Sequence, residues 1–118
     1  MLYTNLIHLE TFTDLDKMTR ENENVLIVCG RMDPQSVTIY RIAESMAQEN
    51  HHVKFCDMEY DNPESIHIRQ MPEFIQNSIS PLTLYLQKSQ VVKAFSGIQS
   101  EEAIAGAIYE TFLKKEKI

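Results

Sequence analysis

A chain of 118 residues with 43% hydrophobic and 24% charged content has the size and composition of one globular domain with a real core. Its formal net charge of -6 argues against nucleic acid or an anionic membrane as the main partner, since neither is drawn to an acidic surface. No apolar run nears the ~20 residues that a membrane span needs, and Met1-Leu2-Tyr3-Thr4-Asn5 lacks the pattern of a signal peptide.

The first strand is expected at Leu6-Ile7-His8-Leu9. Thr11-Phe12-Thr13-Asp14 offers capping residues for a helix through Met18, with Asp14 and Asp16 favourable near its N-terminus. Asn22-Glu23-Asn24 breaks that pattern. The continuous apolar run Val25 to Cys29 predicts a strand covered on both faces, as in a parallel sheet between helix layers. Asp33 is a good N-cap and Pro34 suits a first helical position. Ile39, Ile42, Ala43, Met46 and Ala47 then make one apolar stripe at helical spacing in the stretch Val37 to Gln48.

Asn50-His51-His52 ends that helix, Val53 to Met58 reads as a strand, and Asp61-Asn62-Pro63 as a turn. Glu64 to Asn77 is helical in pattern, with Pro72 expected to break or restart it. Leu82 to Gln87 and Val91 to Phe95 read as two strands joined by Lys88-Ser89-Gln90 in a hairpin. After Gly97, Ser100 caps a last helix that buries Ile104, Ala107, Ile108 and Phe112. Lys114, Lys115 and Lys117 follow as its basic C-terminal end. The order β-α-β-α-β-α-β-β-α predicts a single α/β domain over residues 1–118, with a mixed sheet flanked by helices.

That order resembles the thioredoxin fold. Leu6-Ile7-His8-Leu9 is similar to the first strand of bacterial thioredoxins, and Val25-Leu26-Ile27-Val28 to the central strand that leads into their active site. Val53 to Asp61 resembles the next strand with its acidic turn. Ser80-Pro81-Leu82-Thr83-Leu84-Tyr85-Leu86 is similar to the segment that begins with a cis-proline in that family, and the spacing from Pro81 to Gly97 fits the hairpin and its glycine. The resemblance covers essentially the whole chain. It places Asp33 and Ser36, within Asp33-Pro34-Gln35-Ser36, at the two positions where the family carries C-x-x-C. The tryptophan that usually precedes the first cysteine is absent as well. The segment before Pro81 is longer than in a minimal thioredoxin and includes Met71-Pro72-Glu73-Phe74.

Dithiol exchange needs an attacking thiolate and a resolving thiol; Asp33 and Ser36 supply neither. Asp33 could serve as a polar contact or general base, but the helix cap is the favoured reading. Ser36 could meet a ligand through its hydroxyl, and is otherwise a first-turn serine. Cys29, at the end of the central strand, is the better reactive candidate, because a helix N-terminus nearby lowers a thiol pKa. The competing reading is a small apolar core side chain, and that reading is stronger still for mid-strand Cys56. His51 and His52 with Cys29 and Cys56 match no metal-ligand spacing, and no glycine-rich phosphate loop is present, so no cofactor or metal is expected.

Two functions from different classes remain. One is a polypeptide-binding or chaperone-like module that uses the cis-proline groove, with Met32, Asp33, Gln35, Ser36, Ser80, Pro81, Met71 and Phe74 as contacts. The other is a single-thiol redox protein working through Cys29. A structural subunit is a third possibility, which exposed apolar area around Phe74 would support. Reduced cysteines and the absence of an export signal suggest a cytoplasmic protein.

Overall fold

The computed structural model describes residues 2–77 and 79–113. Strand β1 (Ile7–Leu9) leads into α1 (Phe12–Glu21), β2 (Asn24–Gly30), α2 (Pro34–Ala47) and β3 (Lys54–Glu59). A connection follows in which a single-turn helix, α3 (Ile66–Arg69), lies between 3-10 turns at Pro63–Ser65 and Pro72–Phe74. The chain then forms β4 (Leu82–Gln87), β5 (Gln90–Ser96) and α4 (Glu101–Ile108), and α4 runs on into a π-helical turn, Tyr109–Leu113. The five strands make one sheet in the order β1-β3-β2-β4-β5. β1, β3 and β2 are parallel, while β4 runs antiparallel to β2 and β5 antiparallel to β4.

The apolar run in β2 reflects its central place in this sheet. Val25, Ile27 and Cys29 face one core with Leu15 of α1 and Ile68 of α3. Leu26 and Val28 face the other with Ile39, Tyr40 and Ala43 of α2 and Ile104 and Ile108 of α4. A strand covered on both faces needs apolar residues at every position, not at every second one.

Caps set the helix starts. Thr11 and Asp14 form a reciprocal capping box at α1. Ser100 accepts a hydrogen bond from the Ala103 amide at α4. α1 extends to Glu21, past the expected stop at Met18, and an Arg20–Asp16 pair of 2.8 Å spans its last turn. The expected helical stretch from Glu64 to Asn77 is fragmented, because Pro63 and Pro72 each begin a separate turn and only four residues between them are helical. The hairpin turn is two residues long, Lys88 and Ser89, both left-handed (φ 54° and 67°), so Gln90 already pairs with Gln87. Lys114, Lys115 and Lys117 lie outside the described residues. No helix among those described is long and apolar enough to cross a membrane.

Candidate functional site

The parallel strands end where α2 begins. Gly30 closes β2, and Arg31 and Met32 carry the chain to Asp33, whose carboxylate accepts a hydrogen bond from the Ser36 amide at 2.8 Å. That bond holds the Asp33 carboxyl below its ordinary range. Pro34 occupies the first helical turn, where a missing N–H costs nothing. Ser36 is fully buried, and its hydroxyl accepts from the Arg31 amide at 3.3 Å. Gly30 is required by the same packing: a Cβ there would lie 2.7 Å from the Tyr40 hydroxyl and 2.9 Å from Ser36 Oγ. Both Asp33 and Ser36 are thus engaged in folding the corner.

Cys29 differs from its expected setting. It is fully buried, and desolvation pushes its thiol up to about 12; the Arg69 charge and the Ser65 hydroxyl oppose the shift without reversing it. Its side chain lies in the core on the α1 and α3 face, away from the α2 N-terminus. The expectation of a partly exposed, electropositively placed thiol is therefore corrected. Cys56 is equally buried, likewise pushed up to about 12, and both cysteines are free. Burial between two helix layers removes the water that would stabilise a thiolate. His51 and His52 are exposed in the turn after α2.

The register brings three further segments to this end. Cys29 pairs with Leu82, and Leu82 with Ser96, so residues 30–33, 79–81 and 97–98 all leave the sheet at one end. The Ser80–Pro81 peptide bond is cis. The Pro81 carbonyl accepts from the Gly97 amide at 2.8 Å, and Gly97 sits at φ 87°, a left-handed conformation that suits glycine. Ser96 Oγ accepts from the Ile79 amide and donates to the Ile79 carbonyl, both at 3.0 Å. Met32, Ile79 and Ile98 are 40%, 64% and 69% exposed. Gln35 is exposed, whereas Ser80 and Pro81 are buried.

Phe74 is not part of this rim. It is 1% exposed and packs with Ile68, Cys29 and Met58 in the core; Met71 is partly buried against the same cluster. The longer segment before Pro81 therefore turns its aromatic residue inward. Ile75 is the exposed apolar residue beside it. Sequence reasoning passed over Ile75, Ile79 and Ile98, since isolated isoleucines in loops form no periodic pattern; their placement beside the proline and glycine segments was the available clue.

No family model and no curated protein matches this sequence. Solved structures do match its fold. A mutant thioredoxin from Halobacterium salinarum superposes with a TM-score of 0.79 at 14% identity, covering 98% of this chain and 100% of that one. Thioredoxin from Fasciola hepatica gives 0.75 at 20% identity, over 90% and 99% of the two chains. Mitochondrial thioredoxin 3 from Saccharomyces cerevisiae gives 0.73 at 15%, over 89% and 94%. At such identities the likeness is one of fold. The chain is an α/β protein with a five-stranded mixed sheet between two helix layers. That architecture is the thioredoxin fold, here without a C-x-x-C pair.

Proposed function

We propose that this protein is a polypeptide-binding module, chaperone-like or adaptor-like, that does not turn over disulfides. The observation that carries the reading is a contrast at one end of the sheet. Every thiol is buried and held protonated, while Met32, Ile79 and Ile98 stand exposed around Ser80-Pro81. An extended segment laid along such an end is recognised by backbone groups and apolar contacts, which need no reactive side chain. A cytoplasmic setting, where cysteines stay reduced, fits the same reading.

Two measurements test it. Insulin reduction with dithiothreitol should stay at the background rate for the native protein and for Cys29→Ser alike. A peptide selected from a random extended-peptide library should shift the amide resonances of Met32, Leu82 and Ile98, and Ile79→Asp should weaken its binding. Insulin turnover that vanishes in Cys29→Ser would overturn the proposal in favour of single-thiol exchange through Cys29.

A further inference from the structure

The apolar rim continues into the connection before β4. The turn at Pro72–Phe74 packs on β5, and the Asn77 amide donates to the Phe74 carbonyl at 3.1 Å. Asn77 Oδ1 lies 3.3 Å from Ser96 Oγ, the hydroxyl that also accepts from the Ile79 amide. Ile75 and Ile79 thus stand exposed on a stretch tied to the end of β5, and Ile98 on the segment that Gly97 ties to Pro81.

The charges around this rim are one-sided. Glu73 lies two residues before Ile75, and Glu101 and Glu102 follow Ile98 in the first turn of α4. All three are exposed, and none makes a side-chain hydrogen bond or ion pair among the described residues. Asp33, held by the Ser36 amide, adds a fourth carboxylate. The helix N-termini offset only about half a charge each. Two arginines reach this end. Arg31 forks onto the Asp61 carboxylate at 2.8 and 3.0 Å, which makes that pair neutral. Arg69 is turned to Ser65 Oγ at 2.8 Å and to the Tyr60 ring. Lys93 is paired with Glu110 at 3.2 Å. Lys54 and Lys88 lie at the other end of the sheet, where β2 and β3 begin. An acidic margin around exposed isoleucines draws basic partners and repels acidic ones. A second copy of this chain, with a net charge of -6, brings like charge to the same place.

We infer that the occupant of the rim is an extended segment of another polypeptide in which apolar residues are flanked by lysine or arginine. The inference rests on the peptide-binding reading and adds the partner's charge to it. The apolar side chains cover Ile75, Ile79 and Ile98. The flanking cations sit beside Glu73 at one margin and beside Glu101 and Glu102 at the other.

The test uses the full chain. Peptides with a five-residue core drawn from Val, Ile, Leu, Phe and Thr are screened with paired Lys, Gln or Glu at both ends. The best core is then measured with all three flanks, by fluorescence anisotropy and by the amide shifts of Met32, Leu82 and Ile98. The Lys form should bind about tenfold tighter than the Gln form, the sum of several weak surface pairs, and the Glu form more weakly still. That advantage should shrink in 0.5 M sodium chloride and in the Glu101→Gln/Glu102→Gln variant. Because those two glutamates help to start α4, Glu73→Gln gives an independent reading from the opposite margin. Equal affinity of the Lys and Glu forms at the rim would overturn the charge inference and leave the peptide-binding reading standing. No binder with any flank would overturn both. A dimer in sedimentation velocity that Ile79→Asp dissociates would give the rim to a second copy and overturn the inference.

Discussion

The corner at residues 29–36 and the rim at residues 79–81 and 96–98 leave the same end of the sheet, yet one is closed and the other open. At the corner, the Asp33 carboxylate caps α2, Ser36 Oγ takes the Arg31 amide, and Cys29 is walled into the core. Each group is already engaged in building the fold. At the rim, Ile79 and Ile98 lie outside both cores; Ser96 pins the backbone of Ile79, and Pro81 that of Gly97 beside Ile98. Single exposed apolar residues are ordinary; several gathered at one end of a sheet are a candidate contact surface. Under the proposed function, the difference teaches that reactivity and recognition are separable: reactivity would rest on two side-chain positions, and recognition on the shape of loops that the sheet register sets.

Thiol reactivity should show that contrast most sharply. A shift from 9.0 to about 12 lowers the thiolate fraction near neutral pH about a thousandfold, before any steric protection. Ellman's reagent should titrate essentially no thiol in the native protein and both cysteines in urea. Rapid native labelling of Cys29 would collapse the distinction between corner and rim.

The next largest effect separates two residues five positions apart in one connection. Phe74→Ala should destabilise the protein by ~3–5 kcal/mol, because it opens a cavity beside Ile68 and Met58. Ile79→Ala should change stability by no more than ~0.5 kcal/mol, while weakening any peptide bound at the rim. Urea unfolding followed by circular dichroism measures both. A large loss of stability in Ile79→Ala would mean that the rim is architecture, not contact surface.

The fold was legible because its signals are redundant. The unbroken apolar run of β2 announced a two-sided strand. Asp33-Pro34 and Ser100 announced helix starts, and the order of elements limited the topology. The stretch from Glu64 to Asn77 was less legible, since its helical spacing was overruled by two prolines. The site was legible only in what it lacks: Asp33 and Ser36 cannot exchange disulfides, whatever surrounds them. Whether a thiol is exposed depends on which sheet face receives it. Alternation sends Cys29 to the side of α1 and α3, away from α2, but a continuous apolar run does not display that phase. Phe74 misled for a related reason, because a short 3-10 turn carries too few residues to reveal its inward face.

Within the corner, Gly30→Ala should cost ~1–3 kcal/mol through overpacking, since its new methyl meets the Tyr40 hydroxyl at 2.7 Å. Tyr40→Phe alone should cost little, because that hydroxyl is buried without a hydrogen-bond partner. Combined with Gly30→Ala, it should recover part of the loss. Unfolding midpoints of the two single variants and the double variant close the cycle. A double variant no better than Gly30→Ala would point to Ser36 Oγ, 2.9 Å from the same position, as the dominant clash.

The smallest effect tests whether Asp33 has any task beyond the cap. Asp33→Ala should cost ~1 kcal/mol at neutral pH. The sign of its pH dependence follows from the depressed folded-state pKa, caused first by the Ser36 amide. The unfolded chain binds the proton more readily, so the contribution is fully present above the ordinary carboxylate range and is lost as pH falls through the folded value. Urea midpoints of native protein and variant should therefore converge on acidification. If the gap stays constant, the carboxylate charge is not what the cap uses. If the variant instead loses peptide binding while keeping its stability, Asp33 is a contact, and the corner belongs with the rim.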